Sequence, residues 1–190
     1  LVFMNLDDSF SKTEPDEEIQ DLLKFSVGLN LGLHFLSGAI TFDPLVSEAD
    51  SYSASKVVLL DSLIYNIDRT WKNTNLLNWN RELWLIDHGA SLYFHHNWKN
   101  WRNYLTRTFP KIKDHVLLGR ANHLDEAAKD ISEALNEEKI QEIVSVIPED
   151  WLTEASMDLS AEEKRLAYRE FLCAKLNMID LLVKEASDAK

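Results

Sequence analysis

The chain has 190 residues, 45% hydrophobic and 27% charged, with six Trp, eight Phe and five Tyr, which is apolar material enough for one sizeable core and excludes a disordered tail. A formal net charge of −12 argues against nucleic acid and against an anionic membrane surface as partners, because both recruit basic protein surfaces. No apolar run approaches the roughly 20 residues of a membrane span, and the start lacks the basic region of a signal peptide.

In chain order, Leu1-Val2-Phe3-Met4 reads as a short β-like string. Thr13 and Asp16 precede an acidic first turn and then Ile19, Leu22, Leu23 and Phe25, the pattern of a capped helix. Gly28 and Gly32 punctuate the apolar stretch Val27 to Leu33, where close helix packing is expected of them. Phe42-Asp43-Pro44 marks a turn, and a polar segment, Ser47 to Ser55, leads into a helix with Val57, Leu60 and Ile64 on its apolar positions. An Asn-rich, helix-poor loop follows, then two β-like pieces, Leu76 to Trp79 and Leu83 to Ile86. The second runs into Asp87-His88-Gly89, where Gly89 would let the chain turn away.

Asn97 to Arg107 is aromatic and basic, with Trp98, Trp101, Tyr104 and Leu105 at helical spacing, a face that reads as core rather than as a base-stacking platform. Phe109-Pro110 ends it. His123 to Leu135 and Lys139 to Ile147 read as short amphipathic helices. Ser160 and Glu163 form a capping box that opens a long last helix, with Tyr168, Phe171, Leu172, Ile179 and Leu182 on one face. The single cysteine, Cys173, cannot form an internal disulfide, suits a reducing cytoplasm, and reads as a small apolar residue. The fold class is mainly α with a short β-hairpin, and one domain over 1–190 is the expectation.

The chemistry lies in Asp68, Asn73 and Asp87. Phosphoryl transfer needs an Asp to orient the acceptor hydroxyl, with an Asn and a second Asp to hold Mg2+ on the nucleotide phosphates. A gap of four residues on a tight loop lets the first two point at the same phosphates, and the second Asp must come from a neighbouring strand end. The spacing alone is weak. With 16 Asp and 13 Asn in the chain about one such pair is expected by chance, and there are two, since Asp61 and Asn66 share it. Context separates them, because Asp61 lies inside the helical pattern and Asp68 beyond it. The same residues would also serve as a solvated turn with Asp87 as a cap.

The segment Asn66-x-Asp68-x-x-x-Lys72-Asn73, followed by Asp87, resembles the N-x-D-x-H-x-K-N loop and metal aspartate of the HipA-like kinases. These are ATP-dependent serine/threonine kinases related to the toxin halves of bacterial toxin–antitoxin pairs. A bacterial branch of that family also shares Glu14-Pro15-Asp16, Ser26-Val27-Gly28-Leu29-Asn30-Leu31-Gly32-Leu33, and Trp84-Leu85-Ile86-Asp87-His88-Gly89-Ala90 with the chain. The likeness covers most of the first 120 residues and weakens beyond Asn122. Two positions depart: Thr70 replaces the His of the loop, and Asp-His-Gly replaces the Asp-Phe-Gly of many protein kinases.

The resemblance implies a protein-kinase-like C-lobe of a longer protein, with residues 1–10 as the hinge and last N-lobe strand. Leu1, Met4 and Asn5 would then meet the nucleotide, and the N-lobe would be a further segment of the same polypeptide. It implies ATP and Mg2+ as cofactors, Asn73 and Asp87 as metal ligands, Asp68 and Lys72 as catalytic residues, and a Ser or Thr hydroxyl of a protein as acceptor. His88 would influence the orientation of Asp87. Inositol-lipid and small-molecule kinases share an Asp-x4-Asn loop before an Ile-Asp-x-Gly strand, and a pseudokinase or interaction module is a further reading. His88, His95 and His96 cluster in sequence, but one Cys and no His-x-x-x-His pair speak against structural zinc.

Overall fold

The structure, a computed structural model, describes residues 1–153 and 159–190. The chain divides into two compact units, Leu1–Ala39 and Ile40–Lys190. In the first, strand β1 (Val2–Leu6) pairs antiparallel with β2 (Gly28–Gly32), Val2 opposite Gly32 and Leu6 opposite Gly28. Helices α1 (Ser9–Thr13) and α2 (Glu17–Phe25) come between them in the chain. Asp16 caps α2 as its sequence requires, Oδ1 accepting from the backbone N–H of Glu18 (2.9 Å) and Ile19 (3.3 Å).

The glycine-punctuated stretch is a strand, which corrects the expectation of helix packing. Leu29, Leu31 and Leu33 alternate with Gly28, Asn30 and Gly32, the two-residue period of a strand rather than the 3.6 of a helix. Gly32 does allow a close approach, but between strands: a Cβ there would stand 2.9 Å from Val2 Cγ2.

The second unit begins with β3 (Ile40–Thr41), followed by the turn at Asp43 and by α3 (Ser51–Ile64), which Asp50 caps through Ser53 N–H at 2.9 Å. The hairpin of β4 (Leu76–Trp79) and β5 (Glu82–Leu85) forms as expected, and β3 adds a third antiparallel strand in the order β3-β4-β5. Asn80 and Arg81 both take positive φ, 51° and 67°, the two-residue turn whose twist matches a hairpin. The chain from 93 to 120 is built of 3-10 turns: Tyr93–His96, Trp98–Tyr104, Pro110–Asp114 and Leu118–Arg120. Helices α4 (Leu124–Ala134), α5 (Glu137–Ser145), α6 (Glu149–Leu152), α7 (Ala161–Asn177) and α8 (Ile179–Asp188) complete the unit.

Helix α3 is apolar around most of its circumference and runs through the core, with Ala54, Val58 and Leu59 wholly buried. It packs on α4 and α8. At its C-terminus Tyr65 takes a left-handed conformation, φ 54°, and its ring stacks on Phe109 at 5.1 Å and meets Phe171 edge-on at 5.2 Å. Trp98 and Trp101 are buried, as the core reading of that stretch requires. The last helix is two helices rather than one. The Ser160 capping box opens α7, but the chain bends at Met178, so that α7 packs chiefly on α5 while α8 packs on α3 and α4.

Candidate active site

Residues 66–75 form the loop between α3 and β4. Thr70 closes it: its N–H donates to the carbonyls of Asp68 (2.9 Å) and Asn73 (2.8 Å), and its Oγ1 lies 3.4 Å from Asn73 N. A residue that departs from the family motif therefore holds the turn. The closure brings the two predicted side chains together, Asn73 Nδ2 donating to Asp68 Oδ2 at 2.6 Å. Asn66 Oδ1 accepts from Asp68 N–H at 3.3 Å.

Asp87 joins this group through Asn75, a residue that sequence reasoning missed. The Asn75 Nδ2 donates to Asp68 Oδ2 (3.3 Å) and to the Asp87 carbonyl (3.4 Å), while its own carbonyl accepts from Ile86 N–H (3.0 Å). Its φ of 47° is one that Asn tolerates better than most residues. Asp87 itself takes φ 48°, so the carboxylate residue and not Gly89 makes the left-handed turn expected after β5. Its side chain is exposed, and Oδ1 accepts from Gly89 N–H at 3.3 Å. Lys72 is exposed, with no ion-pair partner among the described residues. A cleft of about 660 Å³ opens beside the loop, lined among others by Asp43, Trp71, Lys72, Asn73, Asn75 and Ile86.

Beneath the loop lies a buried ionic cluster. Asp61 on α3 and Arg69 on the loop have fully buried side chains, and Arg69 Nε donates to Asp61 Oδ2 at 2.5 Å. His115 Nδ1 accepts from Leu117 N–H (3.0 Å), which leaves Nε2 as the N–H that donates to Asp61 Oδ2 at 3.0 Å. Asn66 Nδ2 completes the shell on Oδ1 at 3.1 Å. Burial alone would push Asp61 up, but the hydrogen bonds from His115 and Arg69 and the Arg69 charge outweigh it and hold the carboxyl below the usual carboxylate range.

Arg69 reaches further. Its Nη1 donates to the Asn75 carbonyl, and its Nη2 lies 3.1 Å from His88 Nε2. A guanidinium only donates, so Nε2 of His88 carries the lone pair and Nδ1 the proton. Burial and the Arg69 charge push the His88 pKa down accordingly. The loop that carries Asp68, the segment of Asn75 and the turn of Asp87 thus share one buried cation. The signal for this cluster was in the sequence as the second Asp-x4-Asn pair, Asp61 and Asn66, whose helical setting identifies a scaffold rather than a ligand set.

The donor set suits Mg2+. Asn73 spends its amide nitrogen on Asp68, which leaves its carbonyl oxygen, and Asp87 offers a carboxylate in an exposed position. These are hard oxygen donors, and a cation shared with nucleotide phosphates takes only one or two of them from protein. No group of three or more His, Cys, Asp or Glu is gathered among the described residues. His95 packs edge-on to His96 and its Nδ1 lies 3.3 Å from Tyr168 Oη. Leu1, Met4 and Asn5, the expected nucleotide-side residues, lie in the first unit, Met4 opposite Asn30 and Asn5 opposite Leu29 in the β1–β2 pairing.

A family model described as HipA-like kinase matches residues 15–178. No curated protein and no solved structure matches the chain.

Proposed function

The chain belongs to the HipA-like kinases, and from that premise we propose that it is the C-lobe of an ATP-dependent phosphotransferase that transfers the γ-phosphoryl group to a Ser or Thr hydroxyl of a protein. One observation carries the reading: Asp68 and Asn73 meet side chain to side chain on a closed loop, and Asn75 ties that pair to the backbone of Asp87. In this reading Asp68 orients the acceptor hydroxyl and accepts its proton, because its Oδ2 is held by two amides and its position is fixed before substrate arrives. Asn73 and Asp87 hold Mg2+, which when bound neutralises charge on the nucleotide phosphates. Lys72, exposed at the cleft, steadies the transferring phosphoryl group by charge. An N-lobe from the same polypeptide covers the nucleotide, with Leu1, Met4 and Asn5 assigned to the hinge.

The test is ATP turnover in the presence of Mg2+ by the full polypeptide that carries this chain, with a panel of protein, lipid and small-molecule hydroxyl acceptors. Asp68→Ala and Asp87→Ala are each expected to lower turnover by at least about a hundredfold, with the far-ultraviolet circular dichroism unchanged. Normal turnover in both variants overturns the proposal, and transfer to lipid or small-molecule acceptors alone overturns the protein-hydroxyl part of it.

A further inference from the structure

Between Asp87 and Asp114 the chain runs for 26 residues without one carboxylate, and it carries Lys99, Arg102, Arg107, Lys111 and Lys113. A chain with 32 Asp and Glu in 190 residues would place about four in a run of that length by chance. Basic charge is thus collected in one segment of an otherwise strongly acidic protein, immediately after the residue assigned to the metal.

The segment is a strap fastened to the catalytic loop at both ends. At its start Ile67 N–H donates to the Ala90 carbonyl (3.4 Å) and Leu92 N–H to the Ile64 carbonyl (2.7 Å). At its end Val116 N–H donates to the carbonyl of Arg69, the residue after Asp68, at 3.1 Å. Its middle is held from below. Lys175 on α7 donates to the carbonyls of Tyr104 (2.5 Å), Leu105 (3.2 Å) and Arg107 (2.6 Å), and Glu185 on α8 accepts from Thr108 Oγ1 (2.7 Å) and Phe109 N–H (2.5 Å).

This anchoring sorts the side chains. In a 3-10 turn residues three apart lie in one column, so Trp98 and Trp101 are buried together while Lys99 and Arg102 share an exposed column. In the turn Pro110–Asp114, Ile112 is buried and Lys111 and Lys113 are exposed. The Arg102 guanidinium lies over the Trp101 ring at 4.5 Å and that of Arg107 over Tyr104 at 5.2 Å, which orients both without neutralising them. Lys111 has Asp114 at 3.8 Å, a solvent-exposed pair.

We infer that this strap is the docking surface for an acidic polypeptide segment, a run of Asp or Glu flanking the acceptor hydroxyl, whose charge holds it against Arg102, Arg107, Lys111 and Lys113 while the hydroxyl reaches Asp68. The hydroxyl rests on the phosphotransferase reading; the docking does not. A rigid basic strip on a protein of net charge −12 rejects most acidic partners at long range and accepts one that meets the strip at close quarters, where complementary charge sets specificity and encounter rate.

The test measures binding without turnover. Fluorescence anisotropy with the intact chain uses two labelled peptides, one serine flanked by glutamates and one serine flanked by lysines. The glutamate peptide is expected to bind at least about tenfold tighter, and to weaken as salt rises to about 0.15 M. The triple variant Arg102→Glu, Arg107→Glu, Lys111→Glu is expected to lose about tenfold or more. Should it fail to fold, the milder Arg102→Gln, Arg107→Gln pair is expected to lose part of the affinity. Lys129→Glu, a single charge reversal on the exposed face of α4, outside the strap, leaves binding unchanged. Equal binding of the two peptides, an unaffected triple or Gln pair, or tighter binding of a short RNA each overturns the inference. Specific binding of the glutamate peptide by the chain, with no phosphoryl transfer to any hydroxyl acceptor by the full polypeptide that carries it, leaves the docking surface standing and sinks the phosphotransferase reading.

Discussion

Replacing Arg69 by Met removes the one permanent cation from a cluster in which Arg69 and Asp61 have no exposed side-chain surface. Asp61 would keep two of its donors, Asn66 Nδ2 at 3.1 Å and His115 Nε2 at 3.0 Å, and lose the two from Arg69. Breaking a buried ion pair from one side strands the other charge and costs about 3–5 kcal/mol, a large share of the roughly 5–15 kcal/mol that holds a typical domain. Urea denaturation followed by tryptophan fluorescence measures it. Adding Asp61→Asn in the same background removes the stranded charge and should restore about 1–3 kcal/mol. The sign of the pH dependence gives a second check. In the parent protein the Asp61 carboxyl sits below its ordinary 3.8, so its contribution is complete above that value and is lost as pH falls through the lower folded pKa. In Arg69→Met burial, the largest influence on this carboxyl, is opposed by fewer donors and is expected to carry it above its ordinary value, so that the folded state gains a proton on acidification. The stability gap between parent and variant should therefore narrow between about pH 7 and pH 4. A loss below about 1 kcal/mol, or a double variant weaker than the single, refutes the placement of Asp61 and Arg69 as partners.

Three further outcomes follow from the geometry. Asn75→Ala removes the amide that joins Asp68 to Asp87 and forces a β-carbon-only side chain into φ 47°, and it should cost about 1–3 kcal/mol and lower kcat more than it raises KM for ATP; Asn75→Gly relieves the backbone strain but not the loss of kcat. Arg81→Gly at φ 67° in the β4–β5 turn should stabilise the chain by about 0.5–1 kcal/mol, read as a higher Tm. Burial pushes the Lys175 ammonium down to about 8, so the folded state sheds its proton before the unfolded one does; stability should rise between that pH and 10.5, and Lys175→Met, which also strands three carbonyls, should lack the rise.

What was legible in the sequence was whatever neighbours in the chain decide. Asp16 and the Ser160–Glu163 pair cap helices because a side chain two or three residues from an orphan N–H reaches it whatever the rest of the fold does. The meeting of Asp68 and Asn73 belongs to the same class, since five residues of tight loop suffice. His115 could not be read in this way: it lies 54 positions from Asp61, and only the packing of the strap against α3 brings them within 3.0 Å. The split of the last helix escaped for a similar reason. The apolar spacing from Tyr168 to Leu182 satisfies a continuous helix, and what bends it is that its two halves have different partners. The Val27–Leu33 stretch carries its strand signal in the strict alternation of Leu29, Leu31 and Leu33, a period that its glycines leave intact.

Among the described residues, every non-glycine with a positive φ falls between 65 and 92: Tyr65, Asn75, Asn80, Arg81, Asp87 and Leu92. Asn and Asp bear this conformation at little expense, but Tyr and Leu are held in it at about 1–2 kcal/mol each. Such strain persists only where surrounding contacts over-determine the backbone, and they do so here. Tyr65 is clamped by Phe109 and Phe171, and its Oη donates to the carbonyls of Arg107 and Thr108 on the strap. Leu92 is drawn to Ile64, the last residue of α3, by a 2.7 Å bond. These two residues stand where the loop leaves the core helix and where the strap leaves the Asp87 turn, and each is fixed by an element on the other side. Loosening either end would therefore be felt at both, so a substitution such as Phe109→Ala, remote from Asp68 in sequence, should weaken the alignment of Asp68 with the strap as well as the core. The measurement that separates the two effects is the ratio of kcat to peptide affinity at a temperature where the variant is fully folded: a variant that loses stability alone leaves both at parental values, and that result would break the mechanical link argued between strain and site.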